Sequence, residues 1–280
     1  MGRPNESVAA LRECRQYNPD STCYKSMFET YMQFGMFDAA EALIKEWKHD
    51  KQGKQEVAAY SYAEILLAIM RRKFAKARQI VLKFEDPLGD YFAKHSSNPS
   101  QRAYPTLDID DKTWAKTILD TQAGKTTAAV KHAKELVDAV RKEDRLNSYH
   151  LGKYSLALWA DEQLEEARKV AEEELKELDE RVNEYTSFRP LYLTRRVQAL
   201  AVLGRLDEAQ ADLNAARALP LCEDCPFPRC KDADVFECRL HAMAGYPKEA
   251  LALTRQLMQV WPGEEELVYI EAMLAAKGVR

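Results

Sequence analysis

The chain is poor in the residues that break regular structure, with only 10 glycines and 11 prolines among 280 residues. Hydrophobic residues make up 46% and charged residues 31%. That balance describes an ordered, helix-rich protein with enough length for a substantial core. No apolar run approaches the roughly 20 residues of a membrane span. The opening "MGRPNES" has no apolar signal region, and Glu6 stands where the myristoylation pattern wants Ser or Thr. We therefore expect a cytoplasmic protein with reduced thiols and no membrane partner. A net charge of −4 provides no excess of Lys and Arg for phosphates, so nucleic acid is not an expected partner either.

Catalytic signatures are missing too. There is no His-Glu-x-x-His pattern and no Gly-x-Ser-x-Gly elbow. "TQAGKTTAA" contains Gly-Lys-Thr, but Leu119 stands where a phosphate-cradling loop needs its first glycine. The histidines (His49, His95, His132, His150 and His241) are scattered along the chain. No nucleophile, base and orienting group can be assembled, so no catalytic residue is assigned and an enzyme is not expected.

What the chain does contain is a recurring phrase. "GMFDAA" (35–40) is echoed by "RKFAKA" (72–77), "GKTTAA" (124–129), "EQLEEA" (162–167), "GRLDEA" (204–209) and "GYPKEA" (245–250). The closing alanines are 37, 52, 38, 42 and 41 residues apart. Apolar residues recur at three- and four-residue spacing on both sides of each phrase, as helices with one buried face require. The pattern predicts about six helical hairpins that share a core by stacking, since one hairpin cannot bury its apolar face alone.

These phrases and their flanks resemble the tetratricopeptide repeat. In the first hairpin Tyr24, Met27, Tyr31, Gly35, Phe37 and Ala40 fall at that family's large and small positions. In the last, Cys238, His241, Ala250 and Pro262 do so. The resemblance covers roughly residues 20 to 275 and implies an all-α, right-handed superhelix over the whole chain, 1–280. Two departures matter. The spacing exceeds the family's 34 residues, and the second and fourth phrases lack the turn glycine, which implies longer second helices or longer turns.

Two segments interrupt the pattern. Residues 85–110 carry Pro87, Gly89, Pro99 and Pro105 with a Ser/Asn cluster, and read as an irregular insertion. Residues 221–231 contain "LCEDCPFPRC", which holds three of the six cysteines. Cys222, Cys225 and Cys230 could bind one structural zinc, with Cys238 as fourth ligand and His241 next. A helix starting at Cys230 would put Cys238 roughly 12 Å away, so closure requires a later start. A redox-active or disulfide-forming pair and a plain turn of reduced thiols are the other readings, and Cys238 would also serve as a compact apolar side chain.

The resemblance implies a scaffold or adaptor that binds a peptide or partner helix on a concave face made by the first helix of each hairpin. In this register that face holds Tyr62, Leu66, Ile69, Trp114, Ile118, Tyr149, Leu156 and Trp159. They form either a binding strip or core covered by the superhelix itself. Lys25 and Glu29 occupy the positions of the familiar carboxylate clamp, and Glu29 does not support one. The acidic helix over 161–184 reads as a solvated face or a docking surface for a basic partner. A peptide-sensing regulator and a metal-dependent all-α enzyme are the alternatives, though no DNA-binding helix–turn–helix precedes the repeats.

Overall fold

The computed structural model describes residues 6, 9–13, 21–50, 54–83, 105–142, 146–184, 189–219 and 231–279. We number its helices α1 (Ser21–Gln33), α2 (Phe37–Asp50), α3 (Lys54–Met70), α4 (Phe74–Lys83), α5 (Pro105–Gln122), α6 (Thr126–Lys142) and α7 (Ser148–Ala160). They continue as α8 (Leu164–Glu184), α9 (Arg189–Val202), α10 (Leu206–Ala218), α11 (Lys231–Met243), α12 (Pro247–Val260) and α13 (Glu265–Ala276). No strand occurs among the described residues. The protein is all-α, its helices following one another in pairs joined by three-residue turns: α1/α2, α3/α4, α5/α6, α7/α8, α9/α10 and α11/α12, with α13 after them. First helices also pack on the first helices of neighbouring hairpins, as α1 does on α3, α7 on α9 and α9 on α11.

The six hairpins share one turn. Each first helix is followed by three residues whose middle member has positive φ: Gly35, Arg72, Gly124, Glu162, Gly204 and Gly245. The next N–H then reaches back five residues, as Met36 does to the Tyr31 carbonyl (2.8 Å) and Gln163 to Leu158 (3.0 Å). This is the Schellman closure, which satisfies carbonyls left over at a helix end. The turns of the second and fourth hairpins are therefore no longer than the rest. Arg72 and Glu162 enter the left-handed region instead, at about 1 kcal/mol or more for a residue with a Cβ. Part of the extra repeat length lies in long second helices, such as the 21-residue α8.

The alanine that closes each phrase does what its size suggests. Ala40, Ala77, Ala129, Ala167, Ala209 and Ala250 are all 0–1% exposed, just inside the second helix where it meets the first. In α6 the stripe Ala129, Val130, Ala133, Leu136, Val137 and Val140 is buried and the remaining residues are polar or less buried. α13 differs: Leu267, Val268, Tyr269, Ile270, Ala272, Met273 and Leu274 are buried around its whole circumference. A helix apolar on all sides must be enclosed on all sides.

The chain forms two compact units, one of Arg3–Leu119 with Trp261–Glu265 and one comprising Asp120–Val260 with Glu266–Arg280. In the first, Tyr24 stacks on Trp47 (5.4 Å between centroids) and Tyr60 meets Trp47 edge-on (6.4 Å). Lys48 bridges to Glu64 at 2.6 Å. Gly263 lies so close to the Met32 carbonyl that a Cβ there would collide with backbone. In the second unit, α6 to α11 share one apolar core that includes Val137, Leu158, Leu175, Val197, Leu200, Leu213 and Leu240. The expected insertion at 85–110 lies outside the described residues up to position 104, and helix α5 begins at Pro105, a residue suited to a first helical turn.

Candidate functional site

Helix α7 is the most deeply set helix of the second unit. Of its thirteen residues, eleven are buried and only Tyr149 and Trp159 are not. Asn147 starts it by accepting the Tyr149 backbone N–H at 3.0 Å, the usual role of an N-cap asparagine. These two aromatics, Tyr149 exposed and Trp159 half-buried against the core, are ten residues apart, about 15 Å along the axis. Each is capped by a cation. Lys153, one turn on, donates to the Tyr149 hydroxyl and its ammonium lies 4.1 Å from the ring centroid. The Arg195 guanidinium from α9 lies 5.3 Å from the same ring. Lys277, beyond the end of α13, lies 4.5 Å over the Trp159 ring and pairs with Glu162 at 3.3 Å.

Below α7 lies a buried polar network. Glu174 of α8 is 1% exposed. Its carboxylate reaches the Ser155 hydroxyl (3.4 Å) through the space left by Gly152, where a Cβ would lie 2.6 Å from Glu174 Oε1. Gln198 of α9 donates to the Gly152 carbonyl at 2.7 Å. Arg239 of α11 donates to Gln198 Oε1 and to Glu266 in the first turn of α13. Burial pushes the Glu174 carboxyl up to about 8, although Arg195, Arg239 and the Ser155 bond oppose that shift. Five helices therefore converge on one mostly sealed set of polar groups. Removing one member would strand the others without water.

Further bonds seat α13 in the second unit. Glu271 meets Arg255 of α12 at 3.2 Å. Tyr269 is buried against Thr121, and burial pushes its hydroxyl far above the ordinary tyrosine range. At the α7–α8 turn, burial alone would raise Asp161. Hydrogen bonds from Thr126, Gln163 and Thr127 and the Lys277 charge instead hold it below the usual carboxylate range.

The eight residues of the expected strip divide between the units. Tyr62, Leu66, Ile69, Trp114 and Ile118 lie in the first; Tyr149, Leu156 and Trp159 in the second. Ile69, Trp114, Ile118 and Leu156 are at most 2% exposed, so they are packed as core. Tyr62 and Leu66 are half-buried, and the Tyr62 hydroxyl reaches Glu265 at 3.4 Å. Tyr149, at 37% exposure, is the most open of the eight.

Cys222, Cys225 and Cys230 lie outside the described residues. Cys238 is fully buried in α11; burial pushes its thiol up to about 11, and it shares a hydrogen bond with Thr254 of α12. Those features suit a compact core residue better than a thiolate ligand. His241 is half-buried and stands edge-on to Tyr246 at 6.4 Å. Among the described residues no group of His, Cys, Asp and Glu is placed to hold a metal. None of their helices is long and apolar enough to cross a membrane.

Sequence reasoning missed Glu174, Gln198, Arg239 and Glu266. For Glu174 a signal was present. It falls in the inward stripe Ala167, Val170, Ala171, Leu175 and Leu178, where an acid is out of place. Gly152, in mid-helix, was the companion signal.

No protein-family model matches the chain, and no curated protein matches it. Among solved structures it is similar to a chain of the APC/C hetero-tetramer Cut9-Hcn1, at 11% identity and a TM-score of 0.33. The similarity covers 96% of this chain and 52% of that one, so this chain spans about half the length of its match. The hairpin architecture stands on the helices and turns described above rather than on that likeness.

Proposed function

We propose that this chain is a protein–protein interaction scaffold, and that its partner engages the face of α7 bearing Tyr149 and Trp159. The observation that carries the reading is the pattern within α7: every residue is buried except two aromatics on the side the repeat resemblance assigns to binding. Aromatic residues with an open edge on a rigid support make effective binding anchors, because little side-chain freedom remains to be lost. The strip is narrower than its sequence suggests, since Ile69, Trp114, Ile118 and Leu156 contribute packing. The partner is a protein segment, peptide or helix.

The test is affinity for a partner captured from the source lysate, purified and measured with defined variants. Tyr149→Ala and Trp159→Ala each weaken binding by about 1–2 kcal/mol, in the range of interface aromatics. Gln210→Ala, on the exposed side of α10, leaves it unchanged. Loss of binding in Gln210→Ala with none in the two aromatic variants would place the interface elsewhere and sink the reading.

A further inference from the structure

We propose that Trp159, Asp161 and Glu162 form a recognition point for a cationic side chain, and that Lys277 occupies it in place of a lysine or arginine of the protein partner. The proposal rests on the scaffold reading and names the chemistry of the partner at the same face. Three observations converge on it. The Lys277 ammonium meets an aromatic face at 4.5 Å and a carboxylate at 3.3 Å, and a second carboxylate, Asp161, feels its charge. Ring and acids together are the elements that hold an organic cation in a defined place. The Lys277 side chain is only 20% exposed although Glu162 beside it is 78% exposed, so the cation is drawn in over the ring.

The second observation is backbone strain. Glu162 holds φ +64 at a turn position that four of the six hairpins give to glycine. Glycine would take that conformation without strain. What glycine could not supply is the carboxylate that meets Lys277.

The third is the surrounding charge. Glu165 and Glu166 follow in the first turn of α8. Each pairs with a cation of the same helix, Arg168 and Lys169, so the acidity left at the turn is that of Asp161 and Glu162 against the single Lys277. An approaching basic segment meets an acidic turn.

Exchange is mechanically simple. Lys277 lies past the end of α13, and the buried residues from Leu267 to Leu274 keep the body of that helix in place. Only one side chain has to swing out for a partner's cation to enter.

The experiment uses the full chain labelled at tryptophan indole nitrogens, with the Trp159 resonance identified by Trp159→Phe. Nα-acetyl-lysine amide is titrated as the probe, and Nα-acetyl-norleucine amide as its uncharged counterpart. In Lys277→Ala the lysine probe shifts the Trp159 resonance with an affinity about five- to tenfold tighter than in the parent chain, the range expected for one cation–π contact with an adjacent acid. Adding Glu162→Gln to Lys277→Ala weakens it again, and the norleucine probe does nothing. An equal response in the parent chain and Lys277→Ala, an equal response to norleucine, or no response in Lys277→Ala would each overturn the proposal. These results need no partner protein, so they are independent of the partner-affinity test of the scaffold reading.

Discussion

Gly152→Ala is a substitution whose sign reverses according to whether Glu174 is present. For an unencumbered helical glycine, alanine stabilises by about 0.5–1 kcal/mol through the unfolded chain's lost freedom and better helix propensity. At Gly152 the new Cβ would lie 2.6 Å from Glu174 Oε1 and 3.1 Å from Gln198 Nε2. Both neighbours are buried and engaged: Glu174 with Ser155, and Gln198 with the Gly152 carbonyl and Arg239. Overpacking of a filled interior costs about 1–3 kcal/mol. Displacing one buried hydrogen bond adds roughly 1 kcal/mol. The net expectation is a loss of about 1–3 kcal/mol, read from urea unfolding followed by circular dichroism. In a Glu174→Ala background the carboxylate is gone, and Gly152→Ala becomes neutral or mildly stabilising. The resulting coupling between positions 152 and 174 is about 2 kcal/mol. A stabilisation of 0.5 kcal/mol or more by Gly152→Ala in the parent chain would refute the packing account.

Three further outcomes follow from the same structure. Glu174 has a folded-state pKa raised to about 8 from 4.5, so the folded state binds the extra proton and stability falls as pH rises between those values. The slope approaches 1.4 kcal/mol per pH unit for this one group. Glu174→Gln removes that contribution, and an unchanged pH profile would show that the group titrates normally. Gly204 has φ +78 with nothing within 4 Å of a built Cβ, so Gly204→Ala costs about 1 kcal/mol from backbone strain alone; no loss in thermal unfolding would contradict the turn geometry. For the thiols of "LCEDCPFPRC" we propose one zinc per chain held through Cys222, Cys225 and Cys230. Elemental analysis of chelator-free protein should find metal lost in Cys225→Ala and kept in Cys238→Ala, and a metal-free parent would end the proposal.

The hairpin count, the closing alanines and the all-α class were legible because each rests on a local period that packing then satisfies. The turn glycines were legible for the same reason, since positive φ is the one conformation glycine takes freely. Arg72 and Glu162 were not, because a left-handed non-glycine leaves no mark in composition. The strip on the first helices was readable only as a face. How far each member is covered depends on neighbours distant in sequence, as Lys277 partly covers Trp159. The polar network lay further out of reach. Glu174, Gln198, Arg239 and Glu266 come from four helices, and only Glu174 breaks the apolar stripe of its own helix.

The scaffold account is tested most directly by photocrosslinking the full chain in source lysate, with a photoreactive amino acid placed at position 149 in one sample and at position 210 in another. The account predicts one protein partner joined through position 149 and none through position 210. The yield at 149 should fall when the purified, unlabelled parent chain competes. Crosslinking confined to position 210, or equal at both, would contradict a binding face on α7.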